Sequence, residues 1–370
     1  MRVLIVSGIW PPDVGGPASH APEVAAFLRS RGHEVEVVTT ADSAPAAEEY
    51  RVRWIRRSLP VGARHVRGLA LVRSRARRAD VVYTTGMFGR SAAGSLAARR
   101  PYIVKLTADP AFERTRRRGL VGGNVEDFQQ GGGGPLARVL RHARDFELRH
   151  AAHVFCPSAY LRKLVLSWGL PPERVTVLPN PVPIELPEQD EPRNGRTLVF
   201  AGRLTAQKSL GRALEAVASA EGVRLVIAGD GPDRPALERH AQELGIADRV
   251  EFVGAQPRRR VVELFRAADA TILSSSWENF PHTVVEALAV GTPVLAMEAG
   301  GVAEVVRDGV NGLLVPAGDT AALGEAVRRY FADDALRERL RAAATQSVAA
   351  YSPERVFGEL EATLRRAARA

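Results

Sequence analysis

Two carboxylates, eight positions apart, flank the predicted start of a helix. Glu278 lies in a loop after the apolar run Ala270–Leu273, which is typical of a buried strand, and Glu286 lies more than a turn inside the helix. Pro281 favours a helix that begins beside it, because a missing N–H is harmless there. The N–H groups and the dipole of a helix start attract anions. The arrangement suits a ligand with a phosphate in its middle and hydroxyl-rich groups at both ends, such as a nucleotide sugar.

Further segments with residue types suited to such a ligand occur at residues 11–16, 201–208 and 300–315. In the segment at 201–208, Arg203 and Lys208 follow a strand-like run and could bind phosphates. The alternative interpretation is a solvated pair of cations at a strand end. In the first, Gly15 and Gly16 come soon after the first predicted strand. Glycine there would let the backbone approach a phosphate or a sugar closely, although a simple turn is the other interpretation.

These segments, together and in this order, resemble the family 4 retaining glycosyltransferases of the GT-B fold. The resemblance rests on the two carboxylates and the residues up to 294, on Gly202 and Arg203 with Lys208, on residues 300–315 and on the glycine loop. It is dense over about 196–320 and thin over about 45–170. It implies an α/β protein of the GT-B class, in which two Rossmann-like βαβ domains face each other across a cleft.

The alternation of apolar runs with helical patterns independently predicts parallel βα sheets. Strands are predicted at 2–6, 34–40, 51–55, 80–84, 102–105, 152–156, 175–178, 196–201, 224–228, 250–253, 270–273, 293–296 and 312–315. We expect an N-terminal acceptor-binding domain at 1–180, a linker rich in Pro, Glu and Asp at 181–195, and a C-terminal nucleotide-sugar-binding domain at 196–350. Residues 351–370 should form a helix that, as the resemblance implies, crosses back to the first domain. Ligands should bind at the carboxyl ends of the strands, in the cleft between the domains.

The resemblance also implies roles at the donor site. Arg203 and Lys208 would offset the charge that builds up as the pyrophosphate leaves. Glu286 would hydrogen-bond the ribose hydroxyls, and Glu278 would contact the hydroxyls of the donor sugar. The other expected donor-binding residues are Gly15, Gly16, Gly202, Asn279, Phe280 and Thr283. The resemblance implies no metal and no cofactor, since basic residues and the helix dipole would handle the pyrophosphate.

The first domain departs from the family in a place that bears on catalysis. Family members often have a histidine after the fourth strand of this domain, whereas here Asp109 is the polar residue best placed to take over. A structural aspartate that caps the following segment is the alternative. The stretch at about 109–135 is predicted to be a mobile loop on the acceptor side, with plain disorder as the alternative. Asp13 and Ser19 are further candidates for acceptor contacts.

The formal net charge of +9 is concentrated in the first half of the chain, where residues 51–100 hold 13 arginines against one acid, Asp80. The predicted helix there contains Arg64, Arg67, Arg73, Arg75, Arg77 and Arg78. It could dock on an anionic membrane surface or an anionic acceptor, or be an ordinary helix with a solvated arginine face. The patch lacks interleaved aromatic residues beyond Trp54, which argues against nucleic acid as a partner.

The sequence also bears on the cellular compartment. The single cysteine, Cys156, excludes an internal disulfide and fits a reducing compartment, and we interpret it as a buried inert thiol. No signal peptide or membrane span is visible, so we expect a cytoplasmic protein, with peripheral contact at the inner face of the membrane left open.

The expected function is transfer of a sugar from a nucleotide sugar, with UDP favoured over GDP, to a hydroxyl of a small-molecule or lipid-linked acceptor. Another GT-B activity, such as a sugar-nucleotide epimerase or a phosphorylase, is an alternative; a phosphorylase needs a lysine-bound pyridoxal cofactor, and the chain has only Lys105, Lys163 and Lys208. A second alternative is a nucleotide-sugar-binding membrane protein without turnover. His150 and His153 have the wrong spacing for a helical metal-binding pair and lack a third ligand.

Overall fold

The computed structural model describes residues 1–13, 16–46, 48–121, 125–182 and 195–369. They form two compact units. The N-terminal unit comprises residues 1–179 together with 356–370, and the C-terminal unit comprises residues 180–355. Most of the predicted linker, residues 183–194, lies outside the described residues. None of the described helices combines the length and the apolar composition that a membrane span needs.

The N-terminal unit is built on a seven-stranded parallel sheet. Its strands are β1 (Arg2–Val6), β2 (Glu34–Ala41), β3 (Arg51–Arg56), β4 (Val81–Thr84), β5 (Tyr102–Lys105), β6 (His153–Cys156) and β7 (Val175–Val177). Its first helices are α1 (Gly16–Ser30), α2 (Val61–Ala76), α3 (Phe88–Ala98), α4 (Pro110–Arg116), α5 (Val125–Gln129), α6 (Gly134–Arg149) and α7 (Ala159–Ser167). The strand order is β3-β2-β1-β4-β5-β6-β7. The order reverses between β1 and β4, and ligands of open α/β sheets bind beside such a reversal.

The C-terminal unit repeats this plan with six parallel strands. They are β8 (Thr197–Ala201), β9 (Arg224–Ala228), β10 (Val250–Gly254), β11 (Ala270–Leu273), β12 (Val294–Met297) and β13 (Gly312–Val315). The helices are α8 (Leu210–Ala218), α9 (Arg234–Glu243), α10 (Arg258–Ala267), α11 (His282–Ala289), α12 (Thr320–Ala332) and α13 (Asp334–Ser347). The strand order is β10-β9-β8-β11-β12-β13, so the reversal falls between β8 and β11.

The last helix, α14 (Pro353–Arg369), packs on the N-terminal unit. Its buried stripe of Phe357, Leu360 and Leu364 joins the core formed by strand residues such as Ile5 and Phe155. The helical spacing of these apolar residues therefore has a direct structural purpose. Burying each side chain contributes about 1.5–3 kcal/mol, which is enough to hold the helix on this unit.

All thirteen predicted strands are present, and their ends shift by at most one residue. The prediction of a mobile loop at about 109–135 is wrong for the residues that the structure describes there. Helices α4 and α5 supply 7 and 5 residues of that stretch, and α6 begins at Gly134. Phe112 and Phe128 are buried with their ring centroids 5.5 Å apart, so this segment has a small apolar core of its own.

Lys105 is a completely buried cation at the end of β5. Its Nζ donates to the backbone carbonyl oxygen of Leu178 and, over 3.4 Å, to that of Pro179. Burial lowers the pKa of Lys105 from 10.5 to about 7, because the charged amine loses its hydration. A neutral amine can still donate to both carbonyl oxygens, so the lysine stabilises the end of this segment whether or not it is charged.

The pKa of Lys105 predicts how the stability of the protein depends on pH. Between about pH 7 and about pH 10.5 the unfolded lysine holds a proton that the folded one has released, so stability should rise with pH, by up to about 1.4 kcal/mol per pH unit. Urea unfolding of the wild type and of Lys105→Met across this window measures the effect. The Met variant should lose this slope, and Lys163→Met, at an exposed site, should keep it. Parallel profiles for all three proteins would contradict the assignment.

Candidate functional site

The predicted donor-site residues of the C-terminal unit follow strands that are neighbours in its sheet. Gly202 and Arg203 come directly after β8, and Glu278 comes shortly after β11. β8 lies between β9 and β11, and all three strands run parallel. Their carboxyl ends therefore meet at one edge of the sheet, at the reversal of strand order.

An ion pair joins the two loops at this edge. Lys208 Nζ lies 2.5 Å from Glu278 Oε1, and the Ser275 hydroxyl donates to the same oxygen over 2.6 Å. Glu278 is only 6% exposed, whereas about a fifth of the Lys208 side chain, 19%, is accessible. The sequence predicted both residues in the site, but not that they contact each other. The pair leaves Glu278 Oε2 and the remaining ammonium protons as groups that could meet a ligand.

Hydrogen bonds to backbone carbonyl oxygens also join the loops after β8 and β11. The Gln207 side-chain amide donates to the carbonyl oxygen of Trp277 over 2.8 Å, and the Ser276 N–H donates to the carbonyl oxygen of Gln207 over 2.9 Å. The Ser274 hydroxyl donates to the carbonyl oxygen of Lys208 over 3.1 Å. The loop that carries the cation and the loop that carries the carboxylate are thus held in register independently of the ion pair.

Gly300 lets the backbone behind Glu278 pack closely. The Gly301 N–H donates to the Glu278 carbonyl oxygen over 2.8 Å, and a Cβ on Gly300 would lie 2.1 Å from that oxygen. Gly300 also has a φ of +58°, which favours glycine. The Gly300-Gly301 pair of the sequence motif therefore positions the carboxylate.

A second glycine segment, which the sequence analysis did not single out, supports Arg203. Residues 229–231 read Gly-Asp-Gly directly after β9. A Cβ on Gly229 would lie 1.8 Å from the Gly202 carbonyl oxygen, and the Leu204 N–H donates to the Asp230 carbonyl oxygen over 3.0 Å. The signal that could have revealed it is a paired glycine at the end of a strand next to β8. Arg203 itself is exposed and makes no side-chain hydrogen bond or ion pair with any described residue.

Glu286 lies on α11 and is paired with an arginine that sequence reasoning missed. Arg258 Nε, at the start of α10, donates to Glu286 Oε1 over 2.8 Å, and only 12% of the Glu286 side chain is accessible. The bond from Arg258 thus helps to fix the orientation of the carboxylate.

The start of α11 is less open to an anion than the sequence suggested. The N–H groups of Val284 and Val285 both donate to the carbonyl oxygen of Pro281, and the His282 N–H donates to that of Phe280. The Phe280 ring is buried in the core, with its centroid 5.9 Å from that of Tyr351, so only its backbone could meet a ligand. Asn279 and Thr283, also predicted at this site, are partly exposed.

In the N-terminal unit residues 14 and 15 of the predicted glycine loop, which include Gly15, lie outside the described residues, and Gly16 begins α1. Asp13, just before this loop, accepts hydrogen bonds from both terminal nitrogens of Arg57, and the Arg57 bond lowers the pKa of Asp13. The bidentate pair fixes the entry to the loop. Asp13 therefore has a structural partner, which its interpretation as an acceptor contact did not anticipate.

Asp109 is completely buried and its carboxylate is fully used by the protein. Oδ1 accepts the Ala111 N–H over 2.8 Å and caps α4, while Oδ2 accepts from Arg144 over 2.8 Å and from Gln129 over 2.9 Å. The Arg144 guanidinium stacks 3.7 Å above the ring of Trp168. This geometry supports the capping alternative and not a catalytic residue that contacts a sugar.

The arginines of α2 do not share one face. Arg64 donates to the carbonyl oxygen of Arg57 over 2.9 Å, and Arg75 lies 3.7 Å from Glu36 with most of its side chain buried. Val66 is 69% exposed on the same helix. The exposed arginines of this region are Arg67, Arg73, Arg77 and Arg78. A surface patch, as the sequence suggested, would therefore consist of these four and not of Arg64 or Arg75.

Two family models together match residues 15–347 except residue 182. The model described as glycosyl transferases group 1 matches residues 183–347, and that of the glycosyl transferase 4-like domain matches residues 15–181. A D-inositol 3-phosphate glycosyltransferase of Xylanimonas cellulosilytica is 31% identical over 373 residues, which cover 90% of this chain and 87% of that protein. An uncharacterized glycosyltransferase of Methanocaldococcus jannaschii is 26% identical over 369 residues, with 91% of each chain covered.

Solved structures share the fold. HepE from Anabaena, in complex with UDP, has a TM-score of 0.80 at 21% identity, with 99% of this chain and 100% of that chain covered. Sucrose-phosphate synthase from Thermosynechococcus elongatus has a TM-score of 0.81 at 20% identity, with 99% and 98% covered. Together with the two parallel sheets, these likenesses show the GT-B fold that the sequence predicted.

The structural role of Asp109 predicts a large effect on stability. Asp109→Ala removes a helix cap and one of the two carboxylate partners of buried Arg144, so it should cost about 3 kcal/mol or more. Ser158→Ala is the matched control, since Ser158 caps α7 of the same unit through the Leu161 N–H without an ion pair, and should cost about 1 kcal/mol. Denaturant unfolding compares the two variants. Equal, small losses would favour the ligand-contact interpretation of Asp109 instead.

Proposed function

The chain belongs to the GT-B glycosyltransferases of the group 1 family, and we propose that it transfers a sugar from a nucleotide-sugar donor to an acceptor hydroxyl with retention of configuration. We further propose a uridine nucleotide as the donor; the solved neighbour HepE, which shares the fold, was determined with UDP. The acceptor is proposed to be a small molecule or a lipid-linked one.

The observation that carries this proposal is the ion pair between Lys208 and Glu278 at the reversal of strand order. It puts a partly accessible ammonium and a nearly buried carboxylate at one point, beside exposed Arg203. Phosphates require cations, and sugar hydroxyls are bound well by a carboxylate. A donor with its pyrophosphate on the cations and its sugar on Glu278 would use all three of these charged groups.

Glu286 is proposed to bind the ribose. A carboxylate accepts two hydroxyl donors well, and acidic residues hold ribose hydroxyls in this way in dinucleotide-binding folds. Arg258, which donates to one of its oxygens, would hold the carboxylate in a fixed orientation. Arg258 is thus a positioning residue for the proposed ribose contact.

The reaction we propose breaks the bond between the anomeric carbon and the donor phosphate and forms one to the acceptor oxygen. The leaving phosphate takes the acceptor proton on the same face of the sugar, so no side-chain nucleophile is assigned. Arg203 and Lys208 would stabilise the negative charge that grows on the leaving group. We propose that these cations make a metal ion unnecessary, and activity that survives excess EDTA is the expected result.

The acceptor is proposed to bind the N-terminal unit. Contact between an anionic membrane and the exposed arginines Arg67, Arg73, Arg77 and Arg78 stays a prediction. Basic residues near an anionic lipid surface contribute about 1 kcal/mol each, and exposed Val66 adds apolar area beside them. Salt-sensitive co-sedimentation with anionic but not neutral vesicles tests it.

Replacement of Arg203 should slow turnover more than it weakens donor binding. Charge on the leaving phosphate peaks in the transition state, so Arg203→Gln should lower kcat by about 100-fold with a smaller change in KM for the donor. Steady-state release of the nucleoside diphosphate measures both constants. Arg224→Gln is the matched control, an exposed arginine at the opposite edge of the same sheet, and should behave like the wild type. A kcat close to the wild-type value in Arg203→Gln would remove this residue from the pyrophosphate site.

Replacement of Glu286 should weaken donor binding itself. Hydrogen bonds to a charged group contribute about 1.5–3 kcal/mol, so Glu286→Ala should raise the Kd for UDP at least tenfold. Arg258→Ala should produce a smaller change in the same direction, because it only orients the carboxylate. Glu251→Ala, at an exposed position of β10, serves as the control. Calorimetry that finds one Kd for all four proteins would dismiss the ribose assignment.

A further inference from the structure

Six of the fifteen residues that line a large cavity in the N-terminal unit are arginines. Its volume is about 770 Å³. Thr40, near the end of β2, and Met87, which follows β4, place it at the carboxyl-terminal edge of the sheet, where ligands of such sheets bind. Helices α2, α3, α4 and α6 supply the rest of its wall. Its charged residues include Arg64, Arg90, Arg114, Arg117, Arg118 and Glu147.

Carboxylates do not balance these cations. Arg57, which also reaches the cavity, is already paired with Asp13 and Asp42. Glu147, the single acidic residue among the described residues that line the cavity, lies 4.0 Å from Arg114. The other lining arginines are therefore left without a carboxylate from the cavity wall.

Arg90 shows the imbalance most clearly. Its Nη1 atom is buried and makes no hydrogen bond with any described residue. Burial lowers the pKa of Arg90, and the positive charges of Arg64 and Arg114 lower it further. Burial and the charges of these arginines lower the pKa of His65 beside them as well. A partly buried cation among like charges is unfavourable by itself, and a bound anion would offset that cost.

We propose that this cavity holds the phosphate group of a phosphorylated, hydroxyl-bearing acceptor, with Arg64, Arg90 and Arg114 on the phosphate. The assignment rests on the proposed function, which puts the acceptor on this unit, and it names the substrate class. Guanidinium groups match phosphate oxygens in pairs and hold them by charge-assisted hydrogen bonds. Arg117 and Arg118, both exposed, would draw the anion toward the cavity.

Glu147 explains why the ligand should bear hydroxyl groups as well. Its Oε2 is buried and has no hydrogen-bond partner among the described residues. Burial raises the pKa of Glu147. A carboxyl group in either protonation state can accept a hydrogen bond from a hydroxyl group, so the cavity offers a hydroxyl site next to its cations. Exposed Val66 and Leu69 also line the cavity, and they allow the phosphate to belong either to a free ester or to a lipid.

Calorimetric titration with orthophosphate at constant ionic strength tests the anion site. The background is Arg203→Gln, because Arg203 of the other unit is an exposed cation that also attracts phosphate. Added to it, Arg90→Gln should weaken phosphate binding about tenfold. Arg118→Gln should also weaken phosphate binding. Because Arg118 is exposed, its replacement should not impair folding. Arg73 is exposed and lies outside the cavity lining, so Arg73→Gln should leave the phosphate affinity unchanged.

Equal phosphate affinities in the background and in the Arg90→Gln and Arg118→Gln proteins would overturn the proposal. Glu147→Gln tests the hydroxyl site with glucose 6-phosphate as the probe. It should weaken glucose 6-phosphate binding without weakening orthophosphate binding, because loss of a negative charge does not disfavour an anion. If Glu147→Gln weakened the binding of glucose 6-phosphate and of orthophosphate equally, the assignment of Glu147 would be overturned.

Vesicles separate the two sources of phosphate. Co-sedimentation with phosphatidylcholine vesicles that contain phosphatidic acid, lost in Arg90→Gln, would assign the cavity to a lipid headgroup. Glucose 6-phosphate binding that is weakened in Arg90→Gln, without any Arg90-dependent co-sedimentation, would assign the cavity to a free phosphate ester. Sedimentation that needs Arg73 and not Arg90 would put the lipid contact on the exposed arginines and overturn a lipid headgroup in the cavity. UDP affinity should be the same in Arg90→Gln and the wild type, and absence of UDP binding in both would contradict the donor proposal alone.

Discussion

The short ion pair between Lys208 and Glu278 is the constraint on which the C-terminal site depends. It joins the loops that follow β8 and β11, the two parallel strands between which the strand order of the sheet reverses. A nearly buried carboxylate would be costly without a cation beside it, and the cation is held at the point where a phosphate would need it. The stability of this loop junction and the proposed affinity for an anionic sugar donor thus both depend on the side chains of Lys208 and Glu278.

Other contacts support the same two loops independently of that pair. Close backbone packing behind the carboxylate excludes any side chain at Gly300, and packing behind Arg203 excludes one at Gly229. Hydrogen bonds among Gln207, Ser274 and their neighbours keep the loops in register. The N-terminal unit uses charge differently. Most arginines that line its cavity have no carboxylate partner in the cavity wall. Their positive charges are therefore not neutralised there by the protein and could bind an anionic ligand.

Much of the fold could be predicted because each buried strand is a short apolar run bounded by breakers, a signal that lies within a few residues. The donor-site motifs were visible for the same reason. Contacts between distant segments were not: the Arg258 partner of Glu286 and the use of Asp109 by Arg144 depend on tertiary packing. The loop expected at about 109–135 is helical because Asp109 caps α4 and because aromatic residues far apart in sequence pack together. Arginine counts likewise could not separate cavity residues from surface ones.

A crystal structure with the nucleotide sugar that most raises the melting temperature of the protein tests the central claim most directly. The account predicts pyrophosphate oxygens within about 2.7–3.2 Å of the Arg203 guanidinium and of Lys208 Nζ, with hydroxyls of the transferred sugar on Glu278. The ribose should lie on Glu286. A nucleotide bound away from the carboxyl ends of β8 and β11, with the Lys208–Glu278 pair undisturbed and untouched by ligand, would contradict it.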